Sequence, residues 1–209
     1  FTMPRLQSIA RQCLRSLAFL HSLDLIHSDL KPENILVKSY SRCEVKIIDL
    51  GSSCFVSDHL SSYVQSRSYR APEVILGMSY SQKIDIWSLG CILAELCSGN
   101  VLFQNDSLAT LLVRVVGILG PMDPLLLRQG RFTHRFFTRS GQVYERNPES
   151  GRYEYLVPKK SSLRHRLPEA DDGLLDLLGK LLEVDPSKRP TAEEALQHPW
   201  LHHVYEEYE

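Results

Sequence analysis

The chain has 209 residues, 43% of them apolar, enough for one large domain or at a stretch two, and this composition excludes wholesale disorder. Lys plus Arg number 24 against 25 Asp plus Glu, a formal charge of -1, so the balance points to no nucleic-acid or membrane partner. The five cysteines (13, 43, 54, 91, 97) are odd in number and lack CxxC spacing; they read as buried intracellular thiols rather than a disulfide framework or a zinc site.

Phe1-Thr2-Met3-Pro4 shows no secretory leader and runs straight into a helical pattern. Pro4 suits a first turn, and Leu6, Ile9, Ala10, Cys13, Leu14, Leu17 and Leu20 recur at helical spacing to about Ser22. A loop follows over residues 27–34. Ile35-Leu36-Val37 and Val45-Lys46-Ile47-Ile48 are β-type runs, and the polar residues 38–42 between them predict a small hairpin. Residues 52–69 read as a long Ser-rich loop. Ser81 can cap a helix whose apolar residues (Ile84, Ile86, Trp87, Leu89, Ile92, Leu93, Leu96) leave little polar face, so that helix should be central and buried. Gly99-Asn100 ends it.

Residues 108–119 form a further helix. The greasiest stretch, 108–127, holds Arg114, Asp123 and two prolines and fails as a membrane span. The expected location is intracellular, in cytoplasm or nucleus. From 121 to 168 the periodicity weakens while Pro, Gly and Arg rise. Within it, residues 142–145 and 153–156 flank Asn147-Pro148-Glu149-Ser150-Gly151, which predicts a β-hairpin on an inserted excursion. Helix resumes over 174–182. Thr191 with Glu194 makes a capping box that opens the last helix, and the tail after Trp200 is expected to fray.

Three motifs carry the chemistry. His27-Ser28-Asp29-Leu30-Lys31-Pro32-Glu33-Asn34 comes first, then Asp49-Leu50-Gly51, then Ala71-Pro72-Glu73. Singly, each residue has a plain alternative: a loop Asp is usually a cap, a lone Lys usually surface. Jointly, HxDLxxxN, DxG and APE in this order resemble the catalytic half of a eukaryotic protein kinase, a specific signal. The resemblance implies a kinase-like fold, mainly α with short β-hairpins, using ATP and Mg²⁺ on protein substrates. Phosphoryl transfer needs a group to orient the attacking hydroxyl, cations on the moving phosphate, and ligands for those cations. Asp29 fits the base and Lys31 the γ-phosphate contact, while Asn34 and Asp49 are hard oxygen ligands for Mg²⁺.

By the same resemblance the Glu33 main chain lies near the ribose, and Leu36 and Ile48 line the floor under adenine. His27 holds the Asp49-Leu50-Gly51 turn, and Leu50 packs where many kinases have Phe. Ser66 hydrogen-bonds the catalytic Asp and Lys. Asp85, in Asp85-Ile86-Trp87-Ser88-Leu89-Gly90, ties down the catalytic loop. Arg189, in Asp185-Pro186-Ser187-Lys188-Arg189-Pro190, is the buried partner of Glu73.

Ser28 departs from the pattern, for the usual Arg there clamps a phosphate on the activation loop. A different switch is therefore expected. The run from Tyr63 to Glu73 resembles the CMGC group, with Tyr63 at the regulatory position and Arg67 and Arg70 near enough in sequence to pair with its phosphate. Asp49-Leu50-Gly51-Ser52-Ser53-Cys54, the non-Arg residue at 28 and Tyr63-Val64-Gln65-Ser66-Arg67 together resemble the dual-specificity tyrosine-regulated kinase family, and residues 38–49 resemble a plant-type branch. That family implies tyrosine autophosphorylation in the loop and serine/threonine phosphorylation of other proteins.

The resemblance covers residues 1–200, with a CMGC-type insert at about 121–168 and a tail at 201–209. A complete kinase also has a β-rich lobe with a glycine-rich loop, a strand Lys and a helix Glu. These 209 residues hold no GxGxxG and no VAIK-like strand. Residues 173–180 only superficially suggest a phosphate loop, with one residue too many and Leu181 in place of Ser or Thr. The expectation is a C-terminal lobe, its N-terminal β-rich lobe absent, with Leu36, Ile48 and Leu50 forming an exposed apolar face. Such a chain should bind ATP weakly and turn over poorly by itself. Two alternatives stay open: a truncated or pseudokinase binding module, and a small-molecule phosphotransferase, which should lack the Ala-Pro-Glu and Asp85-to-Gly90 motifs.

Overall fold

The computed structural model describes residues 1–58 and 60–206. Residue 59 of the expected Ser-rich loop and residues 207–209 of the expected tail lie outside the described residues. The first helix, α1 (Met3–Ser22), buries the stripe Leu6, Ile9, Ala10, Cys13, Leu14 and Leu17, the spacing at which one helical face recurs. A two-residue strand β1 (Leu25–Ile26) leads into the 27–34 loop. The hairpin β2 (Ile35–Ser39) and β3 (Glu44–Ile47) pairs Ile35 with Ile47, its register slipping between Val37 and Ser39.

The Ser-rich stretch is not loop throughout. Its β4 (Cys54–Phe55) pairs antiparallel with β1. Two residues carry no readable period, so sequence patterning could not show this strand. The short helix α2 (Pro72–Ile75) follows, then α3 (Lys83–Ser98). Ser81 Oγ accepts the Lys83 N–H at 3.3 Å. Gly99 closes α3 at φ +80, in the left-handed region where a side chain would be strained. Between these ends α3 is buried without interruption from Ile84 to Ala94.

Ser107 caps α4 (Leu108–Leu119). Residues 121–168 then supply α5 (Pro124–Leu127), the hairpin β5 (Val143–Arg146) and β6 (Tyr153–Leu156), and α6 (Leu163–Arg166). Helix α7 (Asp172–Leu181) starts two residues earlier than expected, because Asp171 accepts the Leu174 N–H at 2.8 Å and caps it. A Cβ at Gly90 would come within 2.8 Å of Leu182, so a glycine in mid-α3 sets the close approach of the α7 end. The capping box of Thr191 and Glu194 opens α8 (Ala192–Leu196).

Fraying after Trp200 does not occur among the described residues. Trp200 and Leu201 are buried. Gln7 Nε2 donates to the Trp200 carbonyl at 2.7 Å and to the His203 carbonyl at 2.8 Å, and Arg11 donates to the Leu201 carbonyl at 2.7 Å. The Trp200 ring packs where a Cβ on Gly173 would clash at 2.6 Å, and that indole holds the tail against the start of α7. All five cysteines are free. Cys13 and Cys91 are buried, Cys13 with its thiol pushed up to about 12 by burial. Among the described residues no helix is long and apolar enough to cross a membrane.

One ion pair lies inside this core. Arg189 Nη1 and Nη2 donate to the two Glu73 carboxylate oxygens at 2.6 and 3.1 Å, and both residues are buried. The remaining guanidinium donors reach the carbonyls of Glu183, Lys83 and Val184 at 2.9, 2.9 and 3.3 Å. The planar cation also lies over the Trp87 ring, 5.2 Å from its centroid. Each N–H of the fork thus has a partner. Removing one member strands a charge in the core, so Arg189→Leu should cost about 3–5 kcal/mol in urea denaturation. Adding Glu73→Leu should recover most of the loss. Wild-type stability in the single variant would show that the pair anchors nothing.

Candidate active site

The loop between β1 and β2 makes few backbone hydrogen bonds of its own, so its shape is imposed by side chains from elsewhere. Asp85, in the first turn of α3, imposes most of it. With no solvent exposure, its carboxylate accepts the His27 N–H at 2.9 Å and the Ser28 N–H at 3.1 Å. His21 Nε2 reaches the same carboxylate at 2.8 Å. Ser28 is held at φ +72, uncommon for a residue other than glycine. Its side chain is buried, with Oγ 3.5 Å from the Cys54 sulfur of β4.

His27 carries the constraint onward. Its Nδ1 accepts the Asp29 N–H at 3.2 Å, so Nε2 bears the proton and donates to the Ile48 carbonyl at 2.9 Å. The Ile48 N–H returns to the Asn34 carbonyl at 2.8 Å. Asn34 is buried, and its Nδ2 donates to the Asp29 carbonyl at 2.7 Å. That bond orients the amide and leaves Oδ1 as its acceptor. These links bring Asp49, the residue after Ile48, beside the loop. Asp49 has φ +62, and its exposed carboxylate accepts the Gly51 N–H at 3.2 Å.

Three side chains meet over the loop. Ser66 Oγ donates to Asp29 Oδ1 at 2.8 Å. Lys31 Nζ donates to Ser66 Oγ at 3.2 Å and lies 3.4 Å from Asp29 Oδ2. Asp29 and Lys31 each keep part of their surface open to solvent. Glu33 is exposed in a short 3-10 turn over Pro32–Asn34. Leu36 and Leu50 are half-exposed and Ile48 is partly buried, so Leu50 lies on an open apolar face and not in a packed core.

Beyond Ser66 the chain is pinned to α3. Gln65, at φ +70, donates from Nε2 to the Ile84 carbonyl at 3.0 Å and to Ser88 Oγ at 2.8 Å, and accepts the Ala71 N–H at 2.9 Å. Arg70 is buried, donating to the carbonyls of Val64 and Gln65 at 2.9 and 2.8 Å. Burial lowers its proton affinity below the usual guanidinium range. Its guanidinium lies 5.1 Å from the centroid of the Tyr63 ring, and Tyr63 is exposed. Arg67 is turned to Asn105, donating to Oδ1 at 2.7 Å.

Sequence reasoning gave no role to His21, Gln65 or Asn105. A glutamine in a polar loop and a histidine at a helix end carry no periodic signal. Only the positive φ of residue 65, the position of Asp85 beside His21 and the turn of Arg67 toward Asn105 distinguish them.

A family model described as the protein kinase domain matches residues 1–201. The chain is 40% identical over 226 residues to the dual specificity protein kinase lkh1 of Schizosaccharomyces pombe, covering 96% of this chain and 32% of that protein. It is 39% identical over 216 residues to the dual specificity tyrosine-phosphorylation-regulated kinase 3 of Homo sapiens, covering 96% of this chain and 37% of that one. The serine/threonine-protein kinase ppk5 of S. pombe matches at 40% identity over 195 residues, 93% of this chain and 23% of the relative. The chain thus spans about a third or less of the length of the fission-yeast relatives, and just over a third of the human one.

Asp85→Asn keeps the shape but turns one acceptor into an NH₂ facing N–H donors. The variant should lose about 1–3 kcal/mol of stability. Amide exchange at His27 and Ser28 should accelerate while α7 amides keep their protection. Unchanged exchange at those two amides would rule out the clamp.

Proposed function

The chain belongs to the protein kinase domain family, and from that premise we propose that it is the larger lobe of a dual-specificity tyrosine-regulated kinase, transferring the ATP γ-phosphate to protein hydroxyls. The observation that carries this reading is the convergence of Ser66 on Asp29 and Lys31, loop residues 37 and 35 positions earlier in the sequence. Asp29 orients the acceptor hydroxyl and takes its proton, with Ser66 and Lys31 holding the carboxylate in place. Lys31 is also positioned for a phosphate oxygen.

The donor set suits a hard cation. Asn34 Oδ1, left as the acceptor by its Nδ2 bond, and the exposed Asp49 carboxylate are oxygen ligands of the kind Mg²⁺ takes alongside phosphates. Bound there, the metal would neutralise charge on the transferring phosphoryl group. The Glu33 main chain and the side chains of Leu36 and Ile48 contribute to the nucleotide floor, and Leu50 extends the same apolar face. An intracellular location, in cytoplasm or nucleus, accords with five free cysteines.

Tyr63 is the switch in this reading. It is exposed for modification, and a phosphate on it would add nearly two charges within reach of Arg70 and, after rotation away from Asn105, of Arg67. Mass spectrometry of the full-length protein should find phosphate on Tyr63 in wild type and none in Asp29→Asn. Equal modification in both would refute autophosphorylation. The 209-residue chain by itself should phosphorylate a peptide roughly a hundredfold more slowly than the full-length protein, since positioning of the nucleotide would be incomplete. Equal turnover would refute the lobe assignment and leave the kinase chemistry standing; absence of turnover in both would favour a non-catalytic binding module.

A further inference from the structure

The insert concentrates positive charge. Residues 121–168 hold ten Lys or Arg against four Asp or Glu, in a chain that is close to neutral as a whole. Many of these side chains are exposed, but Arg166 at the end of α6 is half-buried, as is Arg114 on α4 beneath it. The Nε atoms of both are shielded from solvent and have no hydrogen-bond acceptor among the described residues. Ser161 Oγ is shielded and unpartnered in the same way. Neither arginine has an ion pair among the described residues.

These three groups belong to one crossing. Gly117 lies one turn beyond Arg114 on α4. The segment that closes the insert passes over it: the Ser161 N–H donates to the Gly117 carbonyl at 2.8 Å, and a Cβ at Gly117 would come within 2.5 Å of the Lys159 carbonyl. Ser162 then caps α6, and the Arg166 N–H donates to the Ser162 carbonyl at 3.1 Å, which keeps Arg166 within about one turn of Ser161. The Arg114 guanidinium has its proton affinity lowered first by burial and then by the positive charge of Arg166, so the two cations are close enough to repel.

Like charges partly removed from water, with shielded donors unmet, are costly. An anion between them would give each an acceptor and cancel the repulsion. We propose that Arg114, Ser161 and Arg166 form a binding site for a phosphoryl group, either free phosphate or a phosphorylated side chain of another protein. Guanidinium forks grip tetrahedral oxyanions by paired hydrogen bonds, and a serine hydroxyl can donate to a third oxygen. Lys159 and Lys160 lie on the same segment and raise the local potential that draws an anion in. This site is separate from the 27–34 loop and does not rest on the kinase reading.

The test is a titration of inorganic phosphate into the full-length protein at constant ionic strength, followed by ³¹P NMR. Binding should saturate, and Arg166→Gln or Arg114→Gln should weaken it about tenfold or more, the effect of losing one charged hydrogen bond. A phosphoserine peptide and its unphosphorylated twin form the second arm. Tighter binding of the phosphopeptide than of phosphate assigns the site to a protein partner, and equal affinity assigns it to free phosphate. Without phosphate, Arg166→Gln should melt higher than wild type because a repulsion is removed, a gain that a merely structural arginine would not give. Arg166→Lys, which keeps the charge and loses the fork, should fold as wild type and bind phosphate more weakly, so the test survives poor folding of the glutamine variants. No saturable binding of phosphate or phosphopeptide, peptide binding indifferent to phosphorylation, or unchanged affinity in these variants overturns the site.

Discussion

The carboxylate of Asp85 sits in the first turn of α3, closed off from solvent, and takes N–H donors from His27 and Ser28 and a ring nitrogen of His21. A buried anion is costly unless its lone pairs are satisfied. Here backbone amides and the positive end of a helix supply the compensation. The cost and the constraint are the same fact: the loop cannot leave without abandoning a charge in the core. From that point the geometry spreads by short links. His27 fixes Ile48, Ile48 fixes Asn34, and Asn34 fixes the Asp29 carbonyl. Asp29 and Lys31 therefore project from a backbone that has little freedom, though their own side chains reach toward water.

Helix α3 is the common anchor because it is apolar on nearly every side. A helix buried all round has one place to lie, and polar groups along it become fixed posts. Asp85 holds the 27–34 loop, Ser88 and the Ile84 carbonyl hold Gln65, and the ring of Trp87 underlies Arg189. Arg189 in turn grips Glu73, two residues past the Ala71 amide that Gln65 accepts. The segment from Ser66 to Glu73 is thus tied down at both ends. The stretch before it, with Leu50, Phe55, Val56 and Tyr63 exposed, has few such ties. Rigidity next to Asp29 and accessibility at Tyr63 follow from where these posts stop.

Much of this was legible. The 3.6-residue period of α1 and the unbroken apolar run of α3 are strong because tertiary burial and local preference agree there. The Thr191–Glu194 box and the hairpin at 143–156 were readable because caps and turns demand particular residues at fixed offsets. The pairing of β1 with β4 was not, being too short to carry a period. Nor was the anchored tail: Trp200 and Tyr205 look like chain-end residues until Gln7, Arg11 and Asp171 are seen to hold them. At the site, the loop residues themselves could be named from their spacing, whereas the partners that orient them, His21 and Gln65, could not. The overall charge near zero also concealed the concentration of cations in residues 121–168.

By itself the sequence determined which residues form the loop from His27 to Asn34, which helix must be central, that Gly99 ends it and that Thr191 with Glu194 opens the last one, since these depend on spacing along the chain. The tertiary structure alone decided that Asp85 meets residues 58 and 57 positions earlier, that Ser66 reaches Asp29, and that Arg114 comes to lie near Arg166. The reason is that a hydrogen bond or a repulsion depends on distance in space. That distance is set by how α3 packs among its neighbours and by how closely the strap crosses Gly117, and neither is written in any local run of residues.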